Sequence, residues 1–285
     1  MKPAAFAYAK ARSLDHAIAL LGEHEGARIL AGGQSLMATL NMRLDTPSLL
    51  VDINFIPGLD GIARRDGTIE IGALVRQTDA ERSGVIAAHA PLIAKALPHI
   101  GHRAIRNRGT LAGSIAFADP AAELPACLLA LGGEVDIAGP NGARNVKADD
   151  FFKALFETAL TPRDVVTAIR IPAARPDMRY GFAEFARRHG DYAMAGLAAS
   201  ARAEGTGLAD VRLAYFGVGS TPIRARRAEP ALSGGPVDET RIGAAVAALA
   251  DDLDPPDDIQ ATGAVKRHLA GVLLRRVAQQ LSESP

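Results

Sequence analysis

The chain has 285 residues, of which 48% are hydrophobic and 22% charged, a composition typical of a globular protein that can bury its own core. Basic and acidic residues balance at 32 each, so the net charge gives no general attraction to nucleic acid or to anionic membranes. The single cysteine, Cys127, excludes an intrachain disulfide, a Cys-ligated zinc site and a cysteine-held iron–sulfur cluster built from this chain alone.

The first fifty residues predict a small α/β unit. Ser13 precedes apolar residues at helical spacing, so it can cap a helix that Gly22 ends. Short apolar runs at 27–31 and 49–53 predict two strands, and the helix-like segment 36–43 lies between them. Because this order returns the chain in the same direction, we expect at least one parallel strand pair.

From residue 68 onward the pattern favours further strands. Residues 68–73 alternate in polarity, and Thr78 with Glu81 predicts a capping box for the next helix. The following segments predict a helix over 124–131, a hairpin that turns at 139–142 and a strand over 165–171.

A domain boundary is expected where Pro172 and Pro176 enclose a polar stretch. Beyond it, segments 180–201 and 211–218 predict strands. The final helix is predicted to carry an apolar stripe at every fourth residue, made of Val265, Leu269, Leu273, Val277 and Leu281.

The most informative features are two glycine-bearing loops. In the first, a strand ends at Ala31 and is followed by Gly32-Gly33-Gln34-Ser35 at the start of a helix. Glycines allow close backbone approach, and free N–H groups favour a pyrophosphate. The spacing matches neither the dinucleotide fingerprint nor the Walker loop, so an ordinary tight turn remains the alternative.

The second loop covers residues 108–114 and contains small and hydroxyl-bearing residues that can donate hydrogen bonds to an anionic or ribityl-like ligand. Downstream, Asp119 and Glu123 can accept hydrogen bonds from sugar hydroxyls, or can simply favour the start of the following helix. Tyr192, beside a polar turn, can cover a flavin ring or act as a packing residue.

Other readings are weaker. The basic run 102–108 has no interleaved aromatic residues, which argues against nucleic-acid binding, and the pair His99 and His102 lacks a third metal ligand at a telling spacing. The N-terminus lacks a secretory signal pattern, and no apolar run approaches the length of a membrane span. We therefore expect a cytoplasmic location, no membrane insertion and no metal site.

The order of these motifs resembles the FAD-binding medium subunits of the xanthine dehydrogenase and aerobic carbon monoxide dehydrogenase group. The likeness runs over nearly the full length. The motifs that carry it are Ala31-Gly32-Gly33-Gln34-Ser35-Leu36, Arg106-Asn107-Arg108-Gly109-Thr110-Leu111-Ala112-Gly113-Ser114, Ala118-Asp119-Pro120-Ala121-Ala122-Glu123-Leu124-Pro125, Ala168-Ile169-Arg170-Ile171-Pro172 and Gly190-Asp191-Tyr192-Ala193.

The resemblance implies an α+β fold with a vanillyl-alcohol-oxidase-type (PCMH-type) FAD-binding domain over 1–175, in subdomains of about 1–55 and 56–175. A smaller C-terminal α+β domain would occupy 176–285. It also implies the cofactor-binding residues. The FAD pyrophosphate and ribityl regions would be held by Ala31, Gly32, Gly33, Gln34, Ser35, Leu36, Thr110, Ala112, Gly113 and Ser114. Glu123 would lie near the ribityl chain, Val166 would pack on the cofactor, and Tyr192 would lie against the isoalloxazine.

This chain departs from the family in the second loop and in a later strand. Ala112-Gly113-Ser114 stands where the family usually has Gly-Gly-Asn, so one hydrogen bond to FAD is expected to be lost or water-bridged. If the first of these family glycines has a positive φ, Ala112 is expected to cost about 1 kcal/mol. Residues 182–185 also lack the lysine often found in that strand, so its contact is not carried over.

By resemblance, the chain would bind FAD and pass electrons from two [2Fe–2S] clusters of a small subunit to an external acceptor. A molybdopterin-binding large subunit would hydroxylate the substrate, and the assembly would be a dimer of heterotrimers. This chain would hold no catalytic residue for the hydroxylation. The alternatives are a self-sufficient flavin oxidase with the same fold and a flavin-free assembly scaffold.

Overall fold

The N-terminal part is built around a parallel sheet. A computed structural model describes residues 1–283. The first elements are β1 (Ala7–Lys10), α1 (Leu14–Glu23), β2 (Arg28–Leu30), α2 (Leu36–Asn41) and β3 (Leu49–Asp52). The central strand β3 pairs in parallel with both β1 and β2, which confirms the predicted parallel pair.

The predicted start of α1 is confirmed, but its predicted end is wrong. The Ser13 hydroxyl accepts a hydrogen bond from the backbone N–H of His16 at 3.1 Å. The helix then continues through Gly22 to Glu23, and the turn that follows uses Gly26, whose φ is +75°. A glycine inside the last turn of a helix is tolerated, whereas a left-handed φ favours glycine.

A second, antiparallel sheet follows. Its strands are β4 (Ile62–Arg65), β5 (Thr68–Gly72), β6 (Glu134–Gly139), β7 (Gly142–Lys147) and β10 (Val165–Pro172). The order is β4-β5-β10-β6-β7, and the hairpin predicted at 139–142 joins β6 to β7. A small hairpin of β8 (Phe152–Ala154) and β9 (Glu157–Thr158) lies between β7 and β10.

Seven helices lie between β5 and β8 in the described chain, together with a 3-10 turn at Leu97–His99. They are α3 (Gln77–Glu81), α4 (Gly84–His89), α5 (Pro91–Ala96), α6 (Arg103–Arg106), α7 (Leu111–Phe117), α8 (Glu123–Leu131) and α9 (Ala148–Phe151). The capping box predicted from Thr78 and Glu81 is wrong. Arg76 is the N-cap residue of α3, and the Thr78 hydroxyl instead donates to Asn107 Oδ1 at 2.9 Å.

The C-terminal part is an antiparallel sheet covered by helices. Its elements are β11 (Met178–Phe185), β12 (Ala195–Glu204), β13 (Gly207–Phe216), β14 (Ile223–Arg224), α10 (Glu229–Leu232), α11 (Glu239–Ala248) and α12 (Gly263–Ser282). The strand predicted over 180–201 is thus two strands joined by a loop over 186–194. On α12 the predicted stripe is wrong at its first position, because Val265 is exposed and Lys266 is buried.

Helix α8 connects the N-terminal part of the chain to the C-terminal sheet, and every one of its residues is buried. It packs against β12 and β13, and its C-terminal carbonyls are satisfied from that sheet. The Ser200 hydroxyl donates to the carbonyl of Ala130 at 2.8 Å, and the Arg212 guanidinium donates to the carbonyl of Leu129 at 2.8 Å. Cys127 lies inside this helix with no exposed surface, and burial raises the pKa of its thiol. It is therefore a packing residue rather than a reactive thiolate.

No helix within residues 1–283 combines the length and the apolar character needed to cross a bilayer. Those residues also form no group of three or more His, Cys, Asp or Glu side chains arranged to hold a metal ion.

Candidate cofactor-binding site

The two glycine-bearing loops that the sequence places far apart lie against each other. A Cβ atom built on Gly32 would lie 2.5 Å from the carbonyl oxygen of Arg108 and 2.8 Å from the Cα of Gly109. Both neighbours are backbone atoms, so they cannot turn aside as a flexible side chain would. Only glycine fits at position 32 while the loops keep this separation.

The first loop borders an open depression of about 390 Å³, lined by residues that include Ala31 to Gln34, Asn54 and Arg108. Gly33 has a φ of +73°, which turns the backbone at this rim. Within residues 1–283, the backbone N–H groups of Gly33, Gln34 and Ser35 have no hydrogen-bond acceptor. Uncommitted N–H donors beside an exposed arginine suit an anionic group such as a pyrophosphate.

The second loop has already used most of its backbone donors. Thr110 caps α7, because its hydroxyl accepts the N–H of Gly113 at 3.0 Å and its carbonyl accepts the N–H of Ser114 at 3.2 Å. This loop can still donate the hydroxyl hydrogens of Thr110 and Ser114. Ala112 is helical, has no positive φ and is 1% exposed, so the strain expected there is absent.

A side-chain network holds both loops, and none of its side chains was predicted from the sequence. Asp52 Oδ1 accepts hydrogen bonds from the backbone and the side-chain amide of Asn54, at 2.9 and 2.7 Å. The same amide donates to the carbonyl of Ala31 at 2.8 Å. Arg76 donates to Asn54 Oδ1 and to the carbonyl of Arg108. The detectable signal was an Asp-x-Asn turn placed directly after β3.

A second group of predicted residues surrounds a buried acid. Glu123 is the first residue of α8 and only 7% exposed. Burial, reinforced by the charge of Glu184, raises the pKa of Glu123 to about 7. Tyr192 leaves 57% of its surface exposed, yet desolvation at its hydroxyl and the charge of Asp119 raise its pKa to about 12. Glu123 and Tyr192 thus share one electrostatic environment with Asp119.

His99 also lies in this region. Its Nδ1 lies 3.2 Å from Glu184 Oε1, and this hydrogen bond raises the pKa of the imidazole. The other carboxylate oxygen of Glu184 is buried and has no partner among the described residues. The His99 ring also stacks on His189, with centroids 5.7 Å apart, in the loop that carries Tyr192. His99 therefore contacts both β11, through Glu184, and the loop that carries Tyr192, through His189.

The remaining predicted residues lie in a core cluster or at the start of α2. Val166 on β10 is 8% exposed and belongs to the same hydrophobic cluster as Ala112, with α7 packed against β10. Ser35 is the N-cap residue of α2, and Leu36 is its first residue. Of the predicted residues, Ala31 to Gln34 thus line the depression, Glu123 and Tyr192 share an environment with Asp119, and Ala112 and Val166 belong to one core cluster.

Comparison with known proteins decides the family. Residues 4–174 match the family described as the FAD binding domain in molybdopterin dehydrogenase, and residues 180–281 match the CO dehydrogenase flavoprotein C-terminal domain. The chain belongs to this family of FAD-binding proteins of molybdopterin dehydrogenases. It is accordingly a flavoprotein component of an oxidoreductase, and its cofactor is FAD.

Individual relatives agree over almost the whole length. The 6-hydroxypseudooxynicotine dehydrogenase complex subunit alpha of Paenarthrobacter nicotinovorans is 38% identical over 97% of this chain and 94% of the relative. The carbon monoxide dehydrogenase medium chain of Hydrogenophaga pseudoflava is 34% identical over 97% and 96%. The structure of reconstituted CO dehydrogenase from Oligotropha carboxidovorans matches with a TM-score of 0.97 at 34% identity, covering 100% of both chains.

The geometry around the depression fits part of an FAD molecule. A glycine that accepts no side chain lets the two loops close on each other, and no acceptor within residues 1–283 engages the N–H groups of Gly33, Gln34 and Ser35. Arg108 adds a cationic group at the rim. Close backbone approach, free donors and positive charge are what a pyrophosphate requires.

Proposed function

We propose that this chain is the flavin subunit of a molybdenum hydroxylase complex. It binds FAD between its two loops and receives electrons that originate at a molybdopterin-binding large subunit. The observation that carries the proposal is the contact between Gly32 and the backbone of Arg108 and Gly109, which forms one cradle from two distant segments. Bound FAD would supply the exchange of one and two electrons between the partner subunits and an external acceptor.

Each group of predicted residues would then have its own task. Ala31, Gly32, Gly33, Gln34, Ser35 and Leu36 would hold the pyrophosphate through backbone donors, assisted by the Arg108 charge. Thr110 and Ser114 would donate their hydroxyl hydrogens to the ribityl region, with Ala112 and Gly113 setting the backbone between them. Glu123 would accept hydrogen bonds from ribityl hydroxyls. Val166 would close the apolar side, and Tyr192 would cover the isoalloxazine. The exposure of Tyr192, 57%, supports a role at an open face.

The partners would be a large subunit with the molybdenum centre and a small subunit with two [2Fe–2S] clusters, assembled as a dimer of heterotrimers in the cytoplasm. The single cysteine of this chain supports the division, because cysteine-held clusters must then come from another subunit. We also propose the domain division at 175/176, which the ranges of the two family matches support.

The test uses the complex reconstituted from the three subunits. We expect that the chain alone hydroxylates no substrate and releases FAD rather than FMN on denaturation. Stopped-flow absorbance can follow the clusters and the flavin separately after substrate is added. Electrons should reach the clusters before the flavin. Flavin reduced at full rate by substrate without the other subunits would instead establish a self-sufficient oxidase, and a chain that takes up no flavin would be a scaffold.

A further inference from the structure

Asn54 and Arg76 are hydrogen-bonded to the two loops, although neither belongs to a glycine motif. Asn54 lies in the turn directly after β3, and Arg76 lies between β5 and α3. Gln77 donates its backbone N–H to the carbonyl of Gly109 at 2.9 Å, so the segment that carries Arg76 is also paired with the second loop through its backbone.

The hydrogen bonds of these two side chains form one continuous path. The Asn54 amide donates to the carbonyl of Ala31, at the edge of the first loop. The amide oxygen of Asn54 accepts from Arg76 Nη2, and Arg76 Nη1 donates to the carbonyl of Arg108 in the second loop. Ala31 and Arg108 are thereby held at a fixed separation by two side chains.

The far end of this path is anchored as well. Both carboxylate oxygens of Asp52 are engaged, because Oδ1 accepts from Asn54 and Oδ2 accepts from the Tyr8 hydroxyl. Asp52 is 6% exposed. A buried carboxylate bonded on both oxygens fixes the Asn54 amide, so that its oxygen faces Arg76 and its nitrogen faces Ala31.

The separation that this path sets is tight. Gly32 leaves no room for a Cβ against the backbone of Arg108, so a small shift of either loop would close or open the cradle. The planar guanidinium of Arg76 can reach two acceptors at once, which the single ammonium of a lysine does not reproduce in the same geometry. The pKa of Arg76 is lowered, first by burial and then by the positive charge of Arg108. An anion between the loops would relieve that repulsion.

We infer that Asn54 and Arg76 are positioning residues for FAD, which set the distance between the two loops and so shape the pyrophosphate cradle. This inference rests on the proposed function. Asn54 lines the depression, but its amide already bonds to Asp52, Ala31 and Arg76, so the inference needs no direct contact between the pair and the cofactor. Its signature is a loss that falls on FAD, whose pyrophosphate would lie between the first loop and Arg108 of the second, more heavily than on FMN, which has a single phosphate.

The experiment measures affinity for FAD and for FMN by quenching of flavin fluorescence, with the full chain stripped of flavin. The variants are Arg76→Met, Arg76→Lys, Asn54→Leu and the double variant Asn54→Leu with Arg76→Met. Arg82→Met is the matched control, because Arg82 is exposed at the other end of α3 and removes the same charge. The unfolding temperature of each flavin-free variant is recorded alongside.

We expect Arg76→Met and Asn54→Leu each to weaken FAD binding roughly tenfold or more, the scale of a lost hydrogen bond to a charged group. FMN affinity should fall much less. Arg76→Lys should remain impaired although it keeps the charge. The double variant should lose little more than either single variant, because both residues act through one path. Arg82→Met should bind FAD as the wild type does.

Contrary results would refute either the positioning role of Asn54 and Arg76 or the proposed function itself. Full FAD affinity in Arg76→Lys would mean that charge alone is needed, which overturns the positioning role. Equal losses for FAD and FMN together with a large fall in unfolding temperature would reduce the pair to general structural support. If Asn54→Leu does not fold, Asn54→Ser replaces it, and the Arg76 variants decide the question alone. A wild-type chain that binds no FAD would refute the proposed function, whereas unchanged binding in Arg76→Met would refute only this inference.

Discussion

Replacing Glu123 by Gln should make the flavin-free chain more stable at neutral pH while weakening its hold on FAD. Glu123 is 7% exposed, and burial raises its pKa from 4.5 to about 7. A carboxyl group whose pKa is raised by folding binds its proton more tightly in the folded state, so deprotonation destabilises that state. Glutamine has nearly the same shape and carries no charge at any of these pH values.

The sign and the size follow from the two pKa values. Below pH 4.5 Glu123 is protonated in both states, and its contribution to stability is fully present. Between pH 4.5 and about 7 the free energy of unfolding falls as pH rises, and above about 7 the loss is complete. The total is about 3 kcal/mol, at roughly 1.4 kcal/mol for each pH unit. The Glu123→Gln variant should therefore exceed the wild type by about 3 kcal/mol at about pH 8, and by little near pH 4.5.

Urea unfolding of the flavin-free chain across this pH range measures the difference, and flavin fluorescence measures FAD affinity. Glu23→Gln is the control, because Glu23 is exposed at the end of α1 and the same change there should leave both quantities unaltered. A difference between Glu123→Gln and the wild type that stays constant with pH would refute the argument from burial. Undiminished FAD affinity in this variant would show that FAD binding does not need the negative charge of Glu123, because the glutamine amide oxygen can still accept from ribityl hydroxyls.

Three further changes test the loops and the open face. Gly32→Ala should abolish FAD occupancy, read from flavin absorbance per protein, because its Cβ would lie 2.5 Å from a backbone carbonyl oxygen. The control Gly26→Ala should keep FAD and cost about 1 kcal/mol of stability, because Gly26 has a positive φ. Full occupancy in Gly32→Ala would show that the loops can separate freely. Ala112→Gly should lower stability by about 1 kcal/mol in thermal unfolding, because Ala112 is helical, and a gain in stability would contradict that. Tyr192→Ala should alter the rate of flavin reduction or reoxidation in the complex with little change in the circular dichroism spectrum. Unchanged rates would return Tyr192 to a packing role.

Local pattern was sufficient for most of the secondary structure. The cap at Ser13, the hairpin at 139–142 and the helix that Gly132 ends with a φ of +63° follow from residues within a few positions of one another. The two glycine loops were also recognisable in the sequence, and the order of the motifs along the chain indicated the family. These features depend on backbone propensity and short-range hydrogen bonds, which the sequence states directly.

Two of the errors occurred where a partner elsewhere in the chain competed with a local signal. Thr78 looked like a helix cap, but its hydroxyl bonds to Asn107, far along the chain. Val265 fitted the spacing of an apolar stripe, yet Lys266 is the residue turned inward, where its ammonium pairs with Asp258 at 2.5 Å. Periodicity defines a face only to within a residue, and packing partners choose between neighbours.

Only the tertiary structure brought the two loops to contact and revealed what holds them. Asn54 and Arg76 are ordinary polar residues in sequence, and their role depends on carbonyl groups that belong to other segments. The raised pKa of Glu123 is equally invisible in the sequence, because desolvation is produced by the elements that fold over the carboxyl group. The residues of this chain determine which groups are available, and chain folding determines which of them meet and how much water remains around them.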